Sequence, residues 1–147
     1  MGIKEIVKIT LFGVVGFVLQ MVGGAITGLF GPYAMFIHAS IGAILTGPIF
    51  IVMCHKLHKK GVAFFYYTIS GIIYLVMGMW PMTVVMLLAG IIAELIISVG
   101  GSYENDFRMG VGFVVGEVVY SLHGFFFILV FGIKGLVKQF PSMFNLE

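Results

Sequence analysis

The sequence predicts an all-α fold, a polytopic membrane helical bundle of about five spans that takes up residues 1–147 as a single integral domain. Three observations predict it. Of 147 residues, 61% are hydrophobic and only 10% are charged, where a soluble domain carries about 25% charged residues. The mean hydropathy is +1.16. The apolar residues are gathered into long unbroken runs, and about 20 apolar residues suffice to cross hydrocarbon as a helix. One small globule has too little interior to hide that much apolar surface, so lipid is the solvent that fits. In lipid only helices or closed barrels satisfy their own backbone. A barrel would show alternating segments of about 10 residues, and these runs are continuous and longer.

The first run, Glu5–Phe30, follows Lys4 and Lys8. It is longer than the roughly 7–15 residues of a signal-peptide core, and no lone small-x-small cleavage site follows it. It is expected to be a retained span. Its small and polar residues, Gly13, Gly16, Gln20, Gly24 and Thr27, recur at helical spacing. The second run, Tyr33–Cys54, follows the Gly31-Pro32 connector and places His38, Gly42 and Thr46 on one face, flanked by Ala39, Ala43 and Gly47. The third, Val62–Met79, carries Tyr67, Ser70, Gly71, Tyr74 and Gly78. The fourth, Pro81–Gly100, starts at a Trp80-Pro81 corner and carries Gly90 and Glu94 beside Ala89 and Ala93. The fifth, Met109–Ile133, carries Gly112, Gly116 and Tyr120, with Glu117 alongside. Connectors are short, so consecutive helices should be antiparallel neighbours. Gly24/Gly28, Ala39/Ala43, Ala89/Ala93 and Gly112/Gly116 have the small-xxx-small spacing that lets membrane helices approach.

Charge orients the bundle. Lys4 and Lys8 flank the first span, Lys56, Lys59 and Lys60 fill the second connector, and Arg108 lies in the fourth. The first and third connectors carry no Lys or Arg. The positive-inside rule then predicts a multi-pass protein of the cell membrane with a cytoplasmic N-terminus and Trp80 at the outer interface. Lys134 and Lys138 stand against that rule, and Gly135–Glu147 is too short to cross again. The tail is expected to lie along a surface, or a final span is lacking. The net charge of +2 is too small to suggest nucleic acid as a partner.

Chemistry is sparse. No HExxH, GxSxG or Walker A sequence occurs, so no catalytic residue, metal site or cofactor is expected. His55 and His58 have ligand spacing, yet Lys56, Lys59 and Lys60 beside them would repel a metal, and the cluster reads as a cytoplasmic charge anchor. The single cysteine, Cys54, excludes an intramolecular disulfide. Ionisable groups inside the spans stand out, because a carboxylate near the bilayer centre costs a few kcal/mol and needs a partner. Glu94 and Glu117 fall in the inner halves of their spans, as buried structural acceptors or as coupling sites. His38 and His123 fall nearer the outer side, with Gln20 at mid-depth. Together with Thr27, Tyr74 and Trp80 they are the candidate lining of a small-molecule cavity open to the outside.

The stretches LTGPIFIVMCHKLHKKGVAFFYYTISGIIYLVMG at Leu45–Gly78 and LLAGIIAELIISVGGSYENDFRMGVGFVV at Leu87–Val115 resemble the Trep_Strep (MptD-type) family of substrate-binding S components of energy-coupling factor (ECF) transporters. The Gly47-Pro48 turn, the basic loop, and Gly90-Ile-Ile-Ala-Glu94-Leu before a Gly- and Asn-containing connector carry the resemblance. It covers about residues 4–131. It implies a membrane subunit of about six helices that captures a micronutrient from outside. It also implies a T subunit and two ATP-binding cassette ATPases as partners. Docking in such proteins uses small residues of the first helix, for which Gly13, Gly16 and Gly24 are the candidates here, although the usual Ala-x-x-x-Ala pattern is absent. Two other classes fit the composition: a structural or assembly membrane protein without a ligand, and a proton-coupled oligomeric transporter using Glu94 and Glu117.

Overall fold

A computed structural model describes residues 1–28, 30, 34–99 and 103–139. The described residues form six helical segments: α1 (Ile3–Thr27), α2 (Ala34–Leu57), α3 (Val62–Val76), α4 (Trp80–Ser98), α5 (Asp106–Ser121) and α6 (His123–Gln139). Among the described residues there is no strand. Four of the described stretches are long and apolar enough to cross a membrane: Ile3–Thr27, Ile37–Leu57, Trp80–Ser98 and Asp106–Gly135. α3 is the exception to the sequence expectation. Its 15 residues span about 22 Å at the α-helical rise, less than the hydrocarbon thickness, and the rest of the expected run turns back toward α4.

The helices close into a ring. α1 packs on α2, α2 on α5, α5 on α4, α4 on α3, and α3 back on α1. Apolar side chains cover the outside, with Leu11, Ile44, Leu95 and Leu129 largely exposed, as lipid-facing residues must be. The interior is aromatic and small. Phe50 of α2 meets the rings of Tyr66 and Phe113 at centroid distances of 5.2 and 5.0 Å. Cys54 is completely buried in this core.

Glycines act as sockets for large side chains. A Cβ on Gly16 would lie 2.1 Å from the Tyr66 hydroxyl, and one on Gly116 would lie 2.4 Å from that of Tyr67. Gly23 lies against the Gly42 backbone, where a Cβ would come within 2.7 Å. The stripe on α1 therefore passes through Gly23 rather than Gly24, which has nothing within 4 Å of a Cβ.

The turns explain where helices stop. α3 ends in a Schellman motif, with Met79 N–H donating to the Tyr74 carbonyl and Gly78 N–H to that of Leu75. Gly78 takes the left-handed conformation this requires, at φ 81°. Pro81 then starts α4 at its first turn, where its missing N–H is harmless. Asn105 caps α5 by accepting from the Arg108 N–H at 3.1 Å.

The fifth expected run is longer and bent. α5 and α6 are separated only by Leu122. The Nδ1–H of His123 donates to the Tyr120 carbonyl at 2.8 Å, and a side chain inserted into the helical ladder is a recognised cause of a kink. A second break falls at Gly132, whose φ of 67° and ψ of 167° are not helical. The helical turns beyond it carry Lys134 and Lys138, both exposed. Residues 140–147 of the expected surface tail, and the Gly31-Pro32 connector, lie outside the described residues.

Candidate functional site

Two polar regions occupy the ring, and both are built from residues on different helices. The first lies at the basic end. Lys59 pairs with Glu5, and His55 with Asp106 at 3.1 Å, so the N-terminus and the second and fourth connectors share one end of the molecule. Just inside, Glu94 of α4 receives the Gly61 N–H at 2.7 Å and the Phe64 N–H at 3.4 Å. The hydroxyls of Ser98 and Tyr103 also donate to it. Glu94 is thus the N-terminal cap of α3, supplied from another helix. A carboxylate there complements both the orphan N–H groups and the helix dipole. Tyr103 also accepts the Ala63 N–H at 2.8 Å. Burial, and then its bond to Glu94, pushes the Tyr103 hydroxyl pKa upward.

The second region runs from the middle of the ring to the opposite end. At mid-depth, the Tyr67 hydroxyl lies 3.2 Å from both Glu117 Oε1 and the Phe113 carbonyl. Gln20 reaches Glu117 Oε2 at 3.5 Å. Farther out, the hydroxyls of Tyr120 and Tyr74 are 3.0 Å apart, and His38 Nε2 lies 3.0 Å from the same Tyr120 oxygen. The His123 ring stacks on Tyr120 at 5.3 Å and meets His38 edge-on at 4.8 Å. Because the Tyr120 carbonyl can only accept, His123 carries its proton on Nδ1 and turns Nε2 away from that bond. The result is two polar groups one helical turn apart on α5, one around Glu117 and one around Tyr120, contributed together by α1, α2, α3, α5 and α6.

Of the six residues expected to line a cavity, His38, Tyr74 and His123 come together around Tyr120, while Gln20 bonds Glu117 one helical turn away. Thr27 does not offer its hydroxyl inward. It is fully buried and bonds back to the Gly23 and Gly24 carbonyls of its own helix at 3.3 and 2.9 Å. Trp80 is 49% exposed, and its ring lies 6.5 Å from that of Phe131. Tyr120 is the hub that sequence reasoning placed on a stripe but not in the site. Its spacing from Glu117 and His123, three residues each way, was the signal.

The expected docking face on α1 needs correction. Gly13 packs under Ile69, and Gly16 under Tyr66, so both are consumed inside the chain. Gly24 alone of the three is open.

Set against known proteins, residues 3–145 match the family model described as "Hypothetical bacterial integral membrane protein (Trep_Strep)". No curated protein and no solved structure matches the chain.

Proposed function

The chain belongs to the Trep_Strep family of hypothetical bacterial integral membrane proteins, and from that premise we propose that it is the substrate-binding subunit of an ECF-type importer. It captures a small polar or aromatic nutrient at the end of the ring opposite its lysines. That end faces the cell exterior, with the N-terminus in the cytoplasm. One observation supports this above the others: four helices converge His38, Tyr74, Tyr120 and His123 on a single point. A few placed polar groups in apolar walls are what a small-ligand site requires. Imidazole and phenol rings offer donors, acceptors and flat faces for stacking.

Energy for uptake comes from outside the chain, through a T subunit and two ATP-binding cassette ATPases. The open side of α1, with Leu11, Val14, Val18 and Val22 exposed, is the surface proposed to dock on the T subunit. The test is copurification in mild detergent from the native membrane. Recovery of the ATPases and T subunit in fixed ratio supports the proposal. Recovery of a homo-oligomer that performs proton-driven uptake by itself overturns it.

A further inference from the structure

Glu117 raises a question that substrate capture leaves unanswered. It sits 11 residues along α5 from Asp106, about 16 Å into the bundle at the α-helical rise. A bare carboxylate at that depth is costly unless its charge is balanced. The eight Lys and Arg side chains belong to positions 4, 8, 56, 59, 60, 108, 134 and 138, toward the ends of the spans. Its hydrogen-bond partners, Tyr67 and Gln20, are neutral. Hydrogen bonds alone place two dipoles against a full charge.

Glu117 also lines a narrow, partly open cavity of about 20 Å³, whose other polar lining is Gln20, Thr46, Tyr66, Tyr67 and Ser70, beside the apolar Phe17 and Met86. That is room for one water-sized particle. Each of the polar side chains carries an oxygen. The spacing around the carboxylate is 3.2 Å to the Tyr67 hydroxyl and 3.5 Å to the Gln20 amide. Oxygens held about 2.4 Å from a small hard cation stand about 3.4 Å apart at octahedral angles. Turning the Gln20 amide over brings its oxygen to the place of its nitrogen. A divalent ion would leave an excess positive charge in hydrocarbon with one carboxylate to meet it. Among the described residues, no three His, Cys, Asp or Glu are grouped to hold a metal.

Glu117 is half-buried, and its other side lines a groove of about 180 Å³ between α2 and α5. That groove is mostly apolar, lined by Ala39, Ala43, Val114 and Val118, with the hydroxyl residues Ser40 and Ser121 among them.

We propose that this cavity binds one sodium ion, with Glu117 as the charged ligand and the oxygens of Gln20, Thr46, Tyr66, Tyr67 and Ser70 as neutral ligands. The ion ties together α1, α2, α3 and α5, four members of the ring. It balances the carboxylate without a buried lysine. This inference does not depend on the identity of the captured nutrient or of the protein partners.

The test is thermal unfolding of the purified full chain in detergent, with sodium chloride exchanged for choline chloride or potassium chloride at constant ionic strength. Sodium is expected to raise the unfolding midpoint in a saturable way, and potassium to do so less. Glu117→Gln should abolish the sodium effect. The isosteric Thr46→Val keeps the fold testable and should weaken apparent sodium affinity about tenfold, a 1.4 kcal/mol loss. Equal effects of the three salts overturn the proposal, as does a sodium effect that survives in both variants. A midpoint indifferent to sodium but dependent on pH in the parent and not in Glu117→Gln also overturns it, and assigns the neutralising charge to a proton.

Discussion

At the residue scale, the two membrane carboxylates that look alike in sequence have different surroundings. Glu94 is saturated by two backbone N–H groups and two hydroxyls at the start of α3. Removing it strands those donors, and an unmet buried donor costs about 1–3 kcal/mol. Glu94→Ala is therefore expected to destabilise the protein by about 3 kcal/mol, with Glu94→Gln retaining part of the loss. Thermal unfolding in detergent measures both, and an unchanged midpoint for Glu94→Ala would contradict the capping role. The glycines divide in the same way. Gly16→Ala drives a methyl into the Tyr66 hydroxyl and is expected to cost about 1–3 kcal/mol through overpacking. Gly24→Ala meets nothing within 4 Å and should leave the midpoint unchanged. Equal effects of the two would show that α1 sits in another register against α3.

At the scale of elements, the sequence announced the runs but not their true lengths. Hydropathy alone carried the third run on to Met79, because the Schellman turn after Val76 is as apolar as the helix before it. The structural marker was Gly78, whose left-handed backbone closes the turn. A non-glycine residue there pays roughly 1–2 kcal/mol for that conformation. Gly78→Ala should lower stability by about 1 kcal/mol, read from the unfolding midpoint. A neutral effect would mean that α3 continues as a straight span. The α5–α6 bend was hidden for a different reason. His123 was legible as a polar group facing inward, but not as a ring bonded to the carbonyl three residues before it. A bond from a side chain to its own helix leaves no trace in periodicity.

Over the whole molecule, composition identified the solvent and the helical class, and antiparallel order followed from short connectors. The closed ring did not. Its α1–α3 and α2–α5 contacts depend on which glycine receives which tyrosine, and Gly23 and Gly24 are indistinguishable without that pairing. The ring is also what gathers side chains far apart in sequence, His38 with Tyr120 and Gln20 with Glu117, into polar groups on its inside. Capture of a small molecule at the outer of these groups is the central claim. Native mass spectrometry of the protein released from mild detergent tests it most directly. One small molecule per chain is expected in the parent protein, and its loss in a folded His38→Ala, Tyr120→Phe double variant. A parent protein that carries no small molecule, or a variant that keeps it undiminished, would rule out capture at this site.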